Sequence, residues 1–578
     1  MKKELILGIS LGFNSSACIL DSENNVLYAA SEERFTNVKN CKFFPILAIK
    51  NGIEFLGIDP KDIAFCYYSH YQDANIYDMY RHTYQIDTKI PQRPSLDISS
   101  MMEKSFIEQH LYMLGVDPLF IHRVDHHEAH AYCSRALTPF HDGNNLYVVM
   151  DGFGDGKSIS FWMDSKGEGL KNVCHGPMQN SVALVYQFVT GALGYKEHQH
   201  EGKITGLAAF GDPTKYYNDF INLYDGFKKI HRDIAVQATS PIIDFDLFLE
   251  MKRRTYDFVN DIMQSVHPDS RFEESKHIAA SLQAFAEDKV IEYIGNMIKN
   301  LDLDNVNVML SGGLFANVKI NQKVHENIPQ VQNIFVAPPM GDEGTCIGAA
   351  SYKFRFIEPK AKMTNMTMRI GTSHPVSDIH VDDDLEFEVI ESIEEVAKAI
   401  AMDLSKNEIV CLFDGRMEFG PRALIGRTIM YNCRDKGAND WLNKQLGRTE
   451  FMPFAPFCKE ENARDLFYNV DGKEYALKNM TVTVDCTEEF IQNYPAACHV
   501  DNTARPQVIS SNENELAWTI LDEYEAITGE KALINTSFNL HNYPIIESPE
   551  VAISSWKQSN TQSLYIGRDG TWYKITRK

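Results

Sequence analysis

The sequence predicts an α/β fold made of duplicated halves, followed by a second, smaller α/β domain. Three observations carry this. First, a short apolar run that ends in a loop of small residues occurs three times: Leu5–Ile9 before Ser10-Leu11-Gly12-Phe13-Asn14-Ser15-Ser16, Leu146–Met150 before Asp151-Gly152-Phe153-Gly154-Asp155-Gly156, and Val306–Leu310 before Ser311-Gly312-Gly313. Each reads as a strand running into a turn. Small residues there let backbone N–H groups approach an anion, which points to a nucleotide-handling fold. Second, 578 residues exceed what one ordinary core holds. Third, the pattern breaks at the polar stretch Glu358-Pro359-Lys360-Ala361-Lys362 and again at Val381-Asp382-Asp383-Asp384. The expected domains are therefore residues 1–360 and 370–578.

The elements follow in order. Leu5–Ile9 is a first strand. Met1-Lys2-Lys3 ahead of it resembles the start of a signal peptide, but the apolar run stops at Ser10 with no small-residue cleavage site after it, so a buried strand is the expectation. Ala17–Leu20 is a second strand, and Asp21–Asn25 a turn. Ile278, Leu282, Phe285, Val290, Ile291 and Ile294 recur at helical spacing. In the second domain, Ile393–Leu404 reads as a helix, and Ile409–Phe413 and Lys531–Asn535 as strands. No solenoid repeat is present.

Composition narrows the class. A chain 44% apolar and 23% charged is globular, and no apolar run is long enough to span a bilayer. Eleven cysteines without a C-x-x-C pair imply reduced thiols and a cytoplasmic location. A net charge of -23 opposes nucleic acid and anionic membranes at long range, although it leaves room for a local basic groove.

Five strings carry chemistry. In Asp125-His126-His127-Glu128-Ala129-His130, His126 and His130 share one helix face, the spacing of a two-imidazole metal site; alone, such a pair is more often a surface feature. Gly341-Asp342-Glu343-Gly344 follows a strand and offers a carboxylate to a metal or a ribose, or an ordinary helix cap. Glu201-Gly202-Lys203 places a lysine among glycines, suited to phosphate. Gly415-Arg416-Met417-Glu418-Phe419-Gly420-Pro421-Arg422-Ala423-Leu424-Ile425-Gly426-Arg427 is the densest, with Lys444 and Arg448 after it; arginines in such a setting suit bidentate phosphate binding. Last come His499–Gln507, with Arg505, and Asn535-Thr536-Ser537-Phe538-Asn539, whose short polar side chains suit a base, a ribose or a phosphate.

Taken with Glu32-Glu33-Arg34-Phe35-Thr36, these strings, in this order over nearly the whole chain, resemble the O-carbamoyltransferases of antibiotic and nodulation-factor biosynthesis, the tobramycin carbamoyltransferase type. The resemblance implies an actin-like ATPase-superfamily domain followed by a YrdC-like α/β domain. It implies an ATP-dependent reaction, with Mg2+ accompanying the ATP. The second domain would make carbamoyl adenylate from carbamoyl phosphate and ATP, through Arg416, Arg422, Arg427, Lys444, Arg448, Arg505, Asn535, Ser537 and Asn539. The first would transfer the carbamoyl group to an acceptor hydroxyl. There, His126, His130, Asp151 and Asp342 would hold a metal, with Fe2+ expected. Lys39 would contact the acceptor side, and Gly152, Lys203, Gly312, Gly313 and Asn317 the nucleotide. Relatives often carry His-Asp where Phe13-Asn14 stand, so His127 or a metal-bound group is expected to act as base. Met452 stands where an arginine is frequent.

The acceptor is less legible. A small molecule (natural product or sugar) ranks first, and the hydroxymethyl group of 5-hydroxymethylcytosine in viral DNA second. An actin-like regulator without transfer activity ranks last. Tyr67, Tyr68, Tyr71, Tyr77, Tyr80, Tyr84 and Arg81, with Lys228-Lys229, His231-Arg232 and Lys252-Arg253-Arg254, are the basis of the DNA alternative. A second copy of the chain is a further admissible partner; no membrane is expected.

Overall fold

The computed structural model describes the chain except residues 1–3, 71–95, 166–168, 235–242, 357–367, 375–383, 439–453, 560 and 569. The first sheet joins β1 (Leu5–Ser10), β2 (Ser16–Leu20), β3 (Val26–Ser31), β4 (Ile63–Ser69) and β5 (Phe120–Val124) in the order β3-β2-β1-β4-β5. The second joins β6 (Asn144–Gly154), β7 (Lys157–Ser165), β8 (Gly169–Gly176), β9 (Val306–Ser311) and β10 (Val331–Val336), in the order β8-β7-β6-β9-β10.

The two orders are the same. In each sheet the first three strands are an antiparallel meander and the last two run parallel to the first. This is the duplication expected from the recurring strand-and-loop pattern, with one refinement. Leu5–Ile9 and Leu146–Met150 open their halves, whereas Val306–Leu310 is the fourth strand of the second half, the counterpart of β4.

Two of the parallel strands, β1 and β9, are buried at every position, as strands covered on both faces are. The two halves meet through the helices that follow their last strands, His126–Leu137 after β5 and Thr345–Ser351 after β10. The crossing is close: a Cβ on Gly348 would stand 1.7 Å from the Ala129 carbonyl oxygen. Only glycine permits this approach.

From Leu385 onward one mixed eight-stranded sheet is built from β11 (Leu385–Ile390), β12 (Val410–Asp414), β13 (Arg427–Asn432), β14 (Ala455–Lys459), β17 (Gln507–Ile509), β18 (Ala532–Ser537), β19 (Ser563–Arg568) and β20 (Thr571–Arg577). A two-residue pair, β15 (Val484–Asp485) and β16 (Thr503–Ala504), stands apart. The helices Ile393–Ser405 and Glu515–Thr528 pack on this sheet with Val396, Ile400, Leu404, Leu516 and Ile520 inward. The second domain is thus α/β, as expected. All eleven cysteines are free thiols, and among the described residues no helix is long and apolar enough to cross a membrane.

Candidate functional site

Two groups of residues stand at the ends of these sheets. The first is a cluster of imidazoles and carboxylates. Asp125 caps the helix His126–Leu137 by accepting the Glu128 N–H at 3.0 Å, and the four-residue spacing puts His126 and His130 side by side, ring centroids 4.7 Å apart. Asp151 comes from β6 and Asp342 from the turn before the helix Thr345–Ser351. His126 Nε2 lies 3.0 Å from Asp151 Oδ2 and 3.6 Å from Asp342 Oδ1; His130 Nε2 lies 3.5 Å from Asp342 Oδ1. All four ligand atoms fall within 4.8 Å of one another.

Supporting contacts hold these groups. The Gly313 N–H donates to Asp151 Oδ1 at 2.9 Å, and Ser311 Oγ donates to the His130 carbonyl at 3.0 Å. Ser10 and Thr345 hydroxyls both donate to the Asp342 carbonyl at 2.7 Å. Burial alone would lower the His126 imidazolium, but Asp342 and Asp151 outweigh it and raise the group to about 9. Burial acts to raise Asp151, and the two histidines beside it reverse this and hold it far below the usual carboxylate range.

The residues fit a divalent metal. Two imidazole nitrogens and two carboxylates converge, and neither ring nitrogen of the wholly buried His130 has a hydrogen-bond partner. A buried imidazole without a partner is costly unless something coordinates it.

His127 stands outside the cluster. Its ring meets Ser160 Oγ at 2.9 Å and the Lys157 carbonyl at 3.1 Å, and burial drives it well below its ordinary value. The neighbour of Asp342 is more distinctive: Glu343, pushed up to about 7 by burial, accepts from Asn14 Nδ2 at 3.0 Å. Phe13 packs on His198, centroids 4.8 Å apart. The Phe13-Asn14 departure is therefore built into the wall of the site.

The second group lines a cleft of about 300 Å3 between the two domains. Lys39, Gln199, His200 and Lys203 come from the first domain, and Arg422, Arg505, Asn535, Ser537 and Asn539 from the second. Two strings chosen separately in the sequence thus share one cavity. Arg422 Nη2 reaches the Ala316 carbonyl at 3.3 Å. The Nε atoms of Arg422 and Arg505 are buried with no partner, and neither guanidinium has a carboxylate among the described residues. Burial lowers Arg422 to about 10; burial and the neighbouring Arg422 charge lower Arg505 well below its ordinary value. Two desolvated cations facing one cavity form a site for a polyanion.

Two of the expected phosphate ligands are not in this cleft. Arg427 is fully buried and donates to the carbonyls of Asp414, Gly426 and Gly415 at 2.9, 2.9 and 3.1 Å. Arg416 donates to the carbonyls of Gly371 at 2.9 Å and Leu27 at 2.7 Å, and also to Ile370. Both act as internal cross-links, because a guanidinium satisfies several backbone carbonyls as readily as a phosphate. Lys444, Arg448 and Met452 lie outside the described residues. Gly152, Gly312, Gly313 and Asn317 do not line the cleft: the glycines surround Asp151, and Asn317 caps the helix Val318–Asn327 and bonds Gln283.

What shapes the arginine string is a residue that sequence reading passed over. Glu418, 1% exposed, accepts the N–H groups of Leu424, Gly426 and Arg427 on one oxygen at 2.9, 2.7 and 2.9 Å. Ile425 is held at a left-handed φ of 61° inside that loop. The Glu32-Glu33-Arg34 string also gains a purpose. Arg34 Nη2 donates to the Gly420 carbonyl at 2.9 Å, and Glu33 accepts the Asn40 N–H at 2.8 Å, which ties the Lys39 loop and the Arg422 loop together.

A duplicated α/β domain thus carries a cluster of two imidazoles and two carboxylates, and a cationic cleft lined by Arg422 and Arg505 stands between it and the second sheet-built region. The family comparisons agree. The model of the carbamoyltransferase N-terminus matches residues 5–351, and that of the carbamoyltransferase C-terminus residues 401–571; the chain belongs to the carbamoyltransferase family. Similar chains include the uncharacterized protein MJ1051 of Methanocaldococcus jannaschii, 27% identical over 97% of this chain and 98% of that one. The nodulation protein NolNO of Sinorhizobium fredii is 27% identical over 96% of this chain and 78% of its own length. The chain is a transferase that moves a carbamoyl group, and the regulator alternative falls with that membership.

Proposed function

We propose that the cleft makes carbamoyl adenylate from carbamoyl phosphate and ATP, and that the cluster beside it transfers the carbamoyl group to a hydroxyl of a small molecule. The observation that carries this is the pair Arg422 and Arg505, desolvated and without a carboxylate in a cavity lined by both domains. Adenylation brings two polyanions together, which requires such cations. Carbamoyl phosphate gives up its phosphoryl group to water as phosphate. The freed carbamate oxygen attacks the α-phosphorus of ATP, and pyrophosphate leaves with the charge that Arg422, Arg505, Lys203 and Lys39 offset.

In the second step the acceptor oxygen attacks the carbamoyl carbon, AMP leaves, and the hydroxyl proton passes to a base. His126, His130, Asp151 and Asp342 would hold the metal, which supplies Lewis-acid polarisation. The Gly420–Arg422 segment lies against the Pro338–Pro339 chain that leads to Asp342; a Cβ on Gly420 would stand 3.2 Å from the Pro338 carbonyl oxygen. A short path between the two sites spares a labile intermediate from water.

The DNA alternative finds no specific support. Tyr67 and Tyr68 are core residues of β4. Lys228 pairs with Asp225, Lys252 with Glu197, Arg253 with Glu250 and Asp257, and Arg254 with Glu250. Tyr71, Tyr77, Tyr80, Tyr84 and Arg81 lie outside the described residues, as do the side chains of His231 and Arg232. The test is mass spectrometry after incubation with ATP, carbamoyl phosphate and ferrous iron. One pool holds hydroxylated metabolites and the other nucleosides from hydroxymethylated DNA. A carbamoyl gain on a metabolite is expected; a gain on the nucleoside alone overturns the choice of acceptor.

A further inference from the structure

The hairpin of β6 and β7 touches the metal cluster twice. Asp151, within β6, is one of the four ligands. Four residues on, Asp155 and Gly156 form a two-residue hairpin loop with φ of 50° and 77°, the conformation that an Asp-Gly pair adopts between antiparallel strands. Gly154 presses on the ligand ring, since a Cβ there would stand 2.3 Å from His126 Cδ2.

The Asp155 carboxylate then makes two bonds. Oδ2 accepts the His126 N–H at 2.8 Å, and Oδ1 accepts from Arg123 Nη2 at 2.7 Å. Arg123 stands near the end of β5, just before the ligand helix begins. The same Nη2 donates to the His70 carbonyl at 2.6 Å, and Arg123 Nε faces the buried Glu103 carboxylate at 3.8 Å. Asp125 already caps this helix at Glu128, with Lys157 Nζ 2.5 Å away. Its first N–H would ordinarily face water. Here it is fixed by a second carboxylate that belongs to the hairpin carrying another ligand.

We infer that Asp155, braced by Arg123, is a positioning residue that sets the distance of His126 and His130 from Asp151. Three of the four ligands, drawn from both halves of the duplication, thereby move as one unit, and the fourth, Asp342, comes separately from the turn after β10. The inference rests on the metal-centre reading above. Partners of this kind, one step removed from the ligands, are worth about 10- to 100-fold in metal affinity.

The experiment titrates the metal-free full-length protein with cobalt(II) and records its visible absorption. The wild type, Asp155→Asn, Arg123→Met and the double variant are compared, with a melting curve for each metal-free protein. Expected are a single wild-type site, about 10- to 100-fold weaker cobalt binding with a changed absorption band in each single variant, and no further loss in the double. Arg123→Lys replaces any variant that does not fold and is expected to retain part of the affinity. Wild-type cobalt affinity and absorption in folded Asp155→Asn would overturn the inference. So would a drop in metal-free melting temperature without a change in the spectrum. A wild type that takes up no cobalt would instead overturn the metal centre, and the inference with it.

Discussion

The histidine–aspartate cluster and the interdomain cleft solve opposite electrostatic problems. In the cluster, imidazoles stand among carboxylates: His126 lies between Asp151 and Asp342, and His130 beside Asp342. In the cleft, Arg422 and Arg505 face each other's charge with nothing to offset it among the described residues. Assembled charges with a spare imidazole suit a cation. Like charges held apart from carboxylates suit an anion. The difference teaches that one chain can prepare two sites for opposite ligands a short distance apart, provided each is braced by its own scaffold. The cluster is braced by the Ser311-Gly312-Gly313 loop, and the cleft by Glu418 and Arg34.

The largest effect is expected from Arg422→Ala combined with Arg505→Ala. Pyrophosphate release from ATP and carbamoyl phosphate should fall by about 10^3-fold or more, on the order of two lost charge contacts to a developing anion. Metal content by elemental analysis should not change. An unaltered rate would remove the cleft from the reaction. Next, His130→Ala should lose the bound metal and carbamoyl transfer by at least about 100-fold, while pyrophosphate release continues.

Gly348→Val should separate the two helices that join the halves. A side chain there meets the Ala129 carbonyl at 1.7 Å, so a stability loss of about 1–3 kcal/mol is expected from denaturant unfolding, together with loss of metal. Retained stability would show that the crossing is looser than the geometry implies. Glu418→Gln should cost about 1–3 kcal/mol, because the buried acceptor of three N–H groups loses its charge. It should also raise the KM for ATP by displacing Arg422; an unchanged KM would confine Glu418 to stability. Arg34→Met should act least, with a several-fold rise in the same KM and native metal content. It sharpens the comparison by loosening only the cleft.

Part of this was legible from residue order. The i,i+4 histidines could be placed because a helix has one period, and Asp342 because its glycine-flanked carboxylate follows an apolar strand; Asp151 was legible only through the family resemblance. The strands Leu5–Ile9, Leu146–Met150, Ile409–Phe413 and Lys531–Asn535, and the helices at Ile393–Leu404 and across Ile278–Ile294, correspond to β1, β6, β12, β18 and the helices Ile393–Ser405 and Arg271–Asn300. What sequence could not separate was Arg422 from Arg416 and Arg427. All three sit among glycines, and only the third dimension reveals that two of them spend their donors on backbone carbonyls. Glu418 was hidden for the same reason: its partners are N–H groups, which every residue but proline carries. Asp155 left a trace, the second aspartate of an Asp-Gly turn, but its contact to His126 depends on a hairpin folding against a helix from another half.

The central claim is that the two sites divide the reaction. The most direct measurement is pyrophosphate release in folded His130→Ala and Arg422→Ala, assayed side by side with ATP and carbamoyl phosphate, with metal content determined on the same samples. The account predicts metal-poor His130→Ala that still releases pyrophosphate, and metal-replete Arg422→Ala that does not. Loss of pyrophosphate release in both would contradict it, since the cluster would then take part in forming the adenylate.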